Sequence, residues 1–218
     1  RIGVISFSDT AEALLPLSKM TDVVDFPGLV LKGGSNYESA FTCLKQTIQT
    51  DFANLKNKGY ANIQRPIVFF ISDGEPTDNN WQAAHAAVTD KNWLFSPHII
   101  AFGVSGARAE TIRTIATGKP GINFAYLADD NADPGAVLKE VLKSLISTIA
   151  GSVPTLKESR LNLPKSTLSL VPVYLVIDES AAIDERSIHA INHLLPEIHN
   201  AILCDPLMNE SVRLSMIS

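Results

Sequence analysis

The segment RPIVFFISDGEPTD, residues 65–78, sets an apolar run, Ile67 to Ile71, directly against Ser72, Asp73 and Gly74. Glu75, Pro76, Thr77 and Asp78 follow at once. A continuous apolar run of this length reads as a strand covered on both faces, the mark of a parallel sheet flanked by helices. In such sheets functional side chains gather beyond the carboxyl ends of the strands, so the acid and the oxygen-rich loop at Asp73 mark a candidate site.

Comparable runs recur along the chain. Strands are expected at 2–7, 67–72, 98–104, 122–127 and 171–177, with a weaker one at 12–17 whose Pro16 suits an antiparallel edge. Between them the spacing predicts helices. Residues 36–58 place Tyr37, Phe41, Leu44, Ile48, Phe52 and Leu55 on one face. Further helices are expected at 79–90, 108–117, 134–149 and from about 185 to 204, where Pro196 should kink or divide the last. The alternation gives an α/β fold, a doubly wound and mostly parallel sheet with helices on both faces. Residues 151–170, with Gly151, Pro154 and Pro164, read as a linker between a domain-sized segment at 1–150 and a shorter one at 171–218.

Composition narrows the function. The chain of 218 residues is 45% hydrophobic and 19% charged, with a formal net charge of -5. Its basic residues are scattered, so nucleic acid is not an expected partner. No apolar run approaches the ~20 residues of a membrane helix. The two cysteines, Cys43 and Cys204, lack metal-type spacing and read as reduced thiols of a cytoplasmic protein.

Three strand-end loops offer oxygen: Asp73 after 67–72, Asp178 and Ser180 after 171–177, and Ser35 after Gly33-Gly34. Two carboxylates and two hydroxyls suit a hard divalent cation such as Mg²⁺ or Mn²⁺, with Ca²⁺ as an alternative. Each residue also has a structural reading. Ser35 with Glu38 matches a capping box, Asp73-Gly74 is a common turn pair, and Asp178 and Ser180 can serve as turn and cap. His189 and His193 lie four apart on one helix but lack the Glu of a zinc-protease motif, so with His199 they read as surface histidines. Trp81, near the Asp73 loop, is a candidate partner contact or a packing residue. No phosphate loop and no nucleophile elbow is present.

The motifs ISDGEPTD, LKGGSNYESAF, RIGVISFSDTAEALLPL and PVYLVIDES together resemble the von Willebrand factor type A (VWA) family, nearest its bacterial TerY-like branch associated with tellurium resistance and stress. The resemblance implies a metal-ion-dependent adhesion site in which Asp178 and Ser180, Ser35 and Asp73 hold the cation. It implies a non-enzymatic module that binds a protein carboxylate through that cation and acts as a cytoplasmic scaffold. Two positions depart from the family pattern. Ala182 stands where a second serine ligand is expected, which weakens the site or empties it, and Ser35 replaces a threonine. The order departs as well, because the Asp-x-Ser strand comes late. The segment at 171–218 therefore belongs to a second repeat or completes 1–150 as a permuted unit, and the likeness of RLSMIS (213–218) to RIGVIS (1–6) fits either. Without that strand, 1–150 has an open seam, so the segments are expected to pair within one chain or between chains. The alternatives are a metal-dependent phosphotransferase or hydrolase using the same acids, and a metal-free docking repeat.

Overall fold

A computed structural model of the chain describes residues 1–118, 124–128 and 169–204. The run at 67–72 forms strand β4 (Ile67–Ser72) inside a six-stranded sheet. Its companions are β1 (Ile2–Phe7), β2 (Ala11–Ser18), β5 (His98–Gly103), β6 (Ala125–Leu127) and β8 (Val173–Asp178). The order across the sheet is β2-β1-β8-β4-β5-β6. Every adjacent pair is parallel except β1 with β2. Edge strand β2 contains Pro16, which costs little there because an edge N–H needs no ladder partner.

Strand β8 lies between β1 and β4, so residues from late in the chain occupy the inside of a sheet whose other strands come from its first 128 residues. Leu175 aligns with Val4 on one side and Phe69 on the other. The seam expected in the early segment is thus filled within the chain.

Four helices are described: α1 (Tyr37–Asn57), α2 (Trp81–Thr89), α3 (Ala109–Ile115) and α4 (Glu185–Cys204). The strict alternation of strand side chains sorts the core into two layers. Val68 and Phe70 of β4, Tyr174 and Val176 of β8, and Ile5 and Phe7 of β1 meet the apolar face of α1, with Trp81 of α2 and Ile112 of α3 beside them. Phe69, Ile71, Leu175 and Ile177 face the other way, onto Ile188, Ile191, Leu194 and Leu195 of α4. Each large side chain fully withdrawn from water contributes about 1.5–3 kcal/mol. The segment leading to α1 straps across α4, where Leu29 N–H donates to Asn192 Oδ1 at 2.9 Å and Asn192 Nδ2 donates to the Leu29 carbonyl at 3.0 Å.

Several expectations change. Pro196 does not divide α4, which runs unbroken through it; lacking an N–H, the proline leaves the Asn192 carbonyl without its helical partner. The last two residues of the expected linker form strand β7 (Ser169–Leu170), paired with β3 (Asn62–Ile63), because Leu170 can bury itself against Leu55 and Tyr60. The expected helix at 134–149, the rest of the linker, the first residues of the strand expected at 122–127 and the repeat-like RLSMIS lie outside the described residues.

Phe70 touches Phe7, Tyr37 and Phe41 at ring-centroid distances of 5.2, 5.3 and 5.1 Å. Phe70→Ala should therefore cost about 3–5 kcal/mol in urea unfolding. Val24→Ala, at a side chain 87% exposed, should stay within about 0.5 kcal/mol.

Candidate metal centre

Alternation along β4 and β8 decides what reaches the sheet's carboxyl edge. Val68, Phe70 and Ser72 share one face of β4, and Tyr174, Val176 and Asp178 share the same face of β8, so Ser72 and Asp178 emerge together beneath the first turn of α1. The Ser72 hydroxyl donates to Asp178 Oδ2 at 2.6 Å and lies 3.3 Å from Asp73 Oδ1. Ser35 Oγ is 3.4 Å from Asp178 Oδ1, and Ser180 N–H donates to that same oxygen at 2.9 Å. All five residues are buried. The structure therefore brings Asp73, Asp178, Ser35 and Ser180 to one place although they lie on three separate loops.

Ser72 and Tyr37 complete the group, and sequence reasoning gave neither a role in it. Tyr37 Oη and Ser72 Oγ are hydrogen-bonded. Burial holds the phenol far above its ordinary titration range, so it keeps its proton. Ser72 has one proton and spends it on Asp178, which leaves Tyr37 as the donor to Ser72. The chain of donors runs Tyr37 to Ser72 to Asp178 and fixes the orientation of the carboxylate. Ser72 was legible as the last residue of an apolar strand, whereas Tyr37 looked like one more residue of a buried helix face.

Backbone bonds hold the loops in place. Thr77 N–H donates to the Ser35 carbonyl at 2.9 Å, Ala181 N–H to Gly33 at 3.0 Å, and Glu179 N–H to Phe7 at 2.8 Å. Asp9 crowds the two loop glycines: a Cβ on Gly33 would fall 1.9 Å from Asp9 Oδ2 and one on Gly34 3.1 Å from Asp9 Oδ1, which accepts from Gly34 N–H at 2.8 Å. Gly74 adopts φ +76, and a Cβ there would meet the Arg108 carbonyl at 2.9 Å. Glu179, buried between the two site residues of its loop, pairs with Lys32 Nζ at 2.8 Å and accepts from Val30 N–H at 2.9 Å. It anchors the strap and is turned away from the site face by the same alternation.

The capping box expected at Ser35 is not used. Asn36 caps α1 by accepting from Ser39 N–H at 2.9 Å, and Asp78 Oδ2 accepts from Tyr37 N–H at 2.7 Å. Ser35 is thereby released toward Asp178. The cap of α4 is Asp184, which accepts from Ser187 N–H at 2.9 Å, so Asp178 and Ser180 are not spent on capping either. Trp81 is no exposed partner contact. It is only 6% exposed and meets Tyr37, Phe41 and His85 edge-on or stacked, because the start of α2 is pressed onto the aromatic layer. His189 and His193 are exposed on α4, as expected.

Electrostatics mark the site as costly without compensation. Burial pushes the Asp178 carboxyl up to about 6, and the charge of Asp73 adds to the shift against the opposing hydrogen bonds from Ser72 and Ser180. Burial also raises Asp73. The buried Ser180 hydroxyl lies near enough to Asp178 to help hold its pKa down, yet makes no well-formed hydrogen bond among the described residues. Among those residues no group of three or more His, Cys, Asp or Glu is placed to hold a metal, so any cation here would rest on two carboxylates supplemented by hydroxyls and water. Ala182, at the position where the resemblance expects another serine, lies exposed in the turn after Ser180.

No helix among the described residues is long and apolar enough to cross a membrane. No family model matches the chain, and neither a curated protein nor a solved structure matches it.

A carboxyl group whose folded pKa is raised stabilises the fold fully below its unfolded value of 3.8, and that stability is lost as pH rises through about 6. In chelator, the melting temperature should fall between about pH 4 and 6 on this account. Asp178→Asn should flatten that decline and melt higher than the unsubstituted chain at neutral pH. A decline that Asp178→Asn leaves unchanged would place its origin elsewhere.

Proposed function

We propose that the chain is a non-enzymatic protein-binding module of the VWA type, doubly wound, whose site holds Mg²⁺ or Mn²⁺ and takes a carboxylate from a partner protein. The observation that carries this reading is the convergence of Asp73, Asp178, Ser35 and Ser180 at one buried edge of the sheet. The donor set is all oxygen, which fits a hard cation that keeps part of its water shell. The unsatisfied Ser180 hydroxyl and the mutually destabilising acids fit the same group, since a divalent charge would relieve both.

Asp178 and Asp73 would supply the charge, and Ser35 and Ser180 the hydroxyl oxygens. Tyr37 and Ser72 would orient Asp178 through their directed hydrogen bonds and act as positioning residues. When bound, the cation would supply a Lewis-acidic anchor for a carboxylate oxygen. Ala182 removes one oxygen from the set the resemblance implies, so affinity should be lower than in a site with both serines. The wider role implied by the resemblance is a scaffold in a bacterial complex for stress or tellurium resistance, in the cytoplasm.

Calorimetric titration of Mg²⁺ and Mn²⁺ tests this. Binding of one ion per chain should be lost in Asp73→Ala and equally in Asp178→Ala, because both carboxylates face one site. Loss with only one of the two would separate the acids. No binding in the unsubstituted chain would favour the metal-free docking repeat, and release of phosphate from generic esters dependent on Asp73 would favour the enzyme.

A further inference from the structure

The face of the sheet opposite the oxygen site carries a second feature of different chemistry. Helix α4 buries Ile188, Ile191, Leu194 and Leu195 and turns His189 and His193 to solvent. Four-residue spacing stacks these histidines on adjacent turns. Their imidazoles touch, with ring centroids 4.3 Å apart and planes at 72°. The same four-residue row continues to Glu185 on one side and Glu197 on the other.

We propose that His189 and His193 form a chelating site for a borderline transition-metal ion of the Zn²⁺, Ni²⁺ or Cu²⁺ class, separate from the oxygen site. Imidazole nitrogen suits these ions and does not suit Mg²⁺, while the carboxylate and hydroxyl set has the opposite preference. Two imidazoles on adjacent turns reach one ion without backbone movement, and the helix that carries them is already fixed. Asp184 caps its first turn and accepts from the Ser105 hydroxyl at 2.8 Å, and Asn192, between the two turns, is bound to the backbone of Leu29. Little backbone ordering cost therefore remains when the metal arrives. Two protein ligands leave the other coordination positions to water or to a donor from another molecule, as an accessible site on an exposed helix face requires.

Zn²⁺ titration into the full chain in excess Mg²⁺ tests the proposal. One Zn²⁺ should bind per chain despite the Mg²⁺, and either His189→Gln or His193→Gln should weaken it about a hundredfold, since each removes half of a chelate. In the unsubstituted chain, substoichiometric Ni²⁺ should broaden the imidazole resonances of His189 and His193 before any others, a readout independent of how the variants fold. Absence of Zn²⁺ binding, affinity in either variant unchanged from the unsubstituted chain, or broadening that begins elsewhere would overturn the assignment. Complete displacement of Zn²⁺ by Mg²⁺ would do so too, by placing the zinc in the oxygen site.

Discussion

Two backbone ladders along β8 support everything else in this structure. The strand pairs in continuous register with β1 on one edge, from Val173 to Asp178, and with β4 on the other, from Val173 to Ile177. That single insertion closes the sheet, sets the inner layer of α4 against Phe69 and Ile71, and carries Asp178 to within 2.6 Å of the Ser72 hydroxyl. A shift of one residue would turn Tyr174, Val176 and Asp178 to the opposite face, burying the acid against α4 and emptying the site of its second carboxylate. Register is held firmly because both faces of β8 are apolar and covered, so any slip exchanges one packed layer for another that does not fit.

The site pays little toward the stability that β8 provides. Two carboxylates lie buried at one edge of the sheet, and the hydrogen bonds from Ser72 and from backbone N–H groups only partly offset their desolvation and mutual repulsion. The arrangement is unfavourable to the isolated fold and is held by two ladders and an aromatic layer that are strongly favourable, which is what makes this edge of the sheet a candidate site. The surroundings show how the strain is contained. Asp9 locks the glycine pair, Asp78 and Asn36 satisfy the first turn of α1, and the Lys32–Glu179 pair clamps the strap, so these segments are tied down by groups other than the proposed site residues.

The sheet was largely legible because β4, β5 and β8 are short apolar runs ended by Gly, Ser or Asp, a pattern that suits a strand covered on both faces and is too short for most helices. The four oxygen residues were legible because each follows such a run or a glycine pair. What could not be read was which residue would take the capping duty. Ser35 with Glu38 fits a capping box as well as any pair in the chain, and only the three-dimensional approach of Asp78 and the choice of Asn36 show that Ser35 is free. Ser72 and Tyr37 were hidden for a related reason: their role comes from a contact spanning 35 positions, and no local pattern announces it. Trp81 misled because proximity in sequence to a loop says nothing about which way a helix turns its first residue. The seat of β8 was foreshadowed only as a need, an incomplete sheet and a spare strand, with the pairing itself left open.

The whole arrangement rests on the seat of β8, which interstrand nuclear Overhauser effects measure most directly. In the chain as a monomer, Leu175 should show backbone contacts to Val4 on one side and to Phe69 on the other, with Val176 contacting Ile5 and Phe70 in the same register. Contacts from β1 directly to β4, with none from either to Leu175, would contradict the account, and the shared site of Asp73 and Asp178 would fall with it.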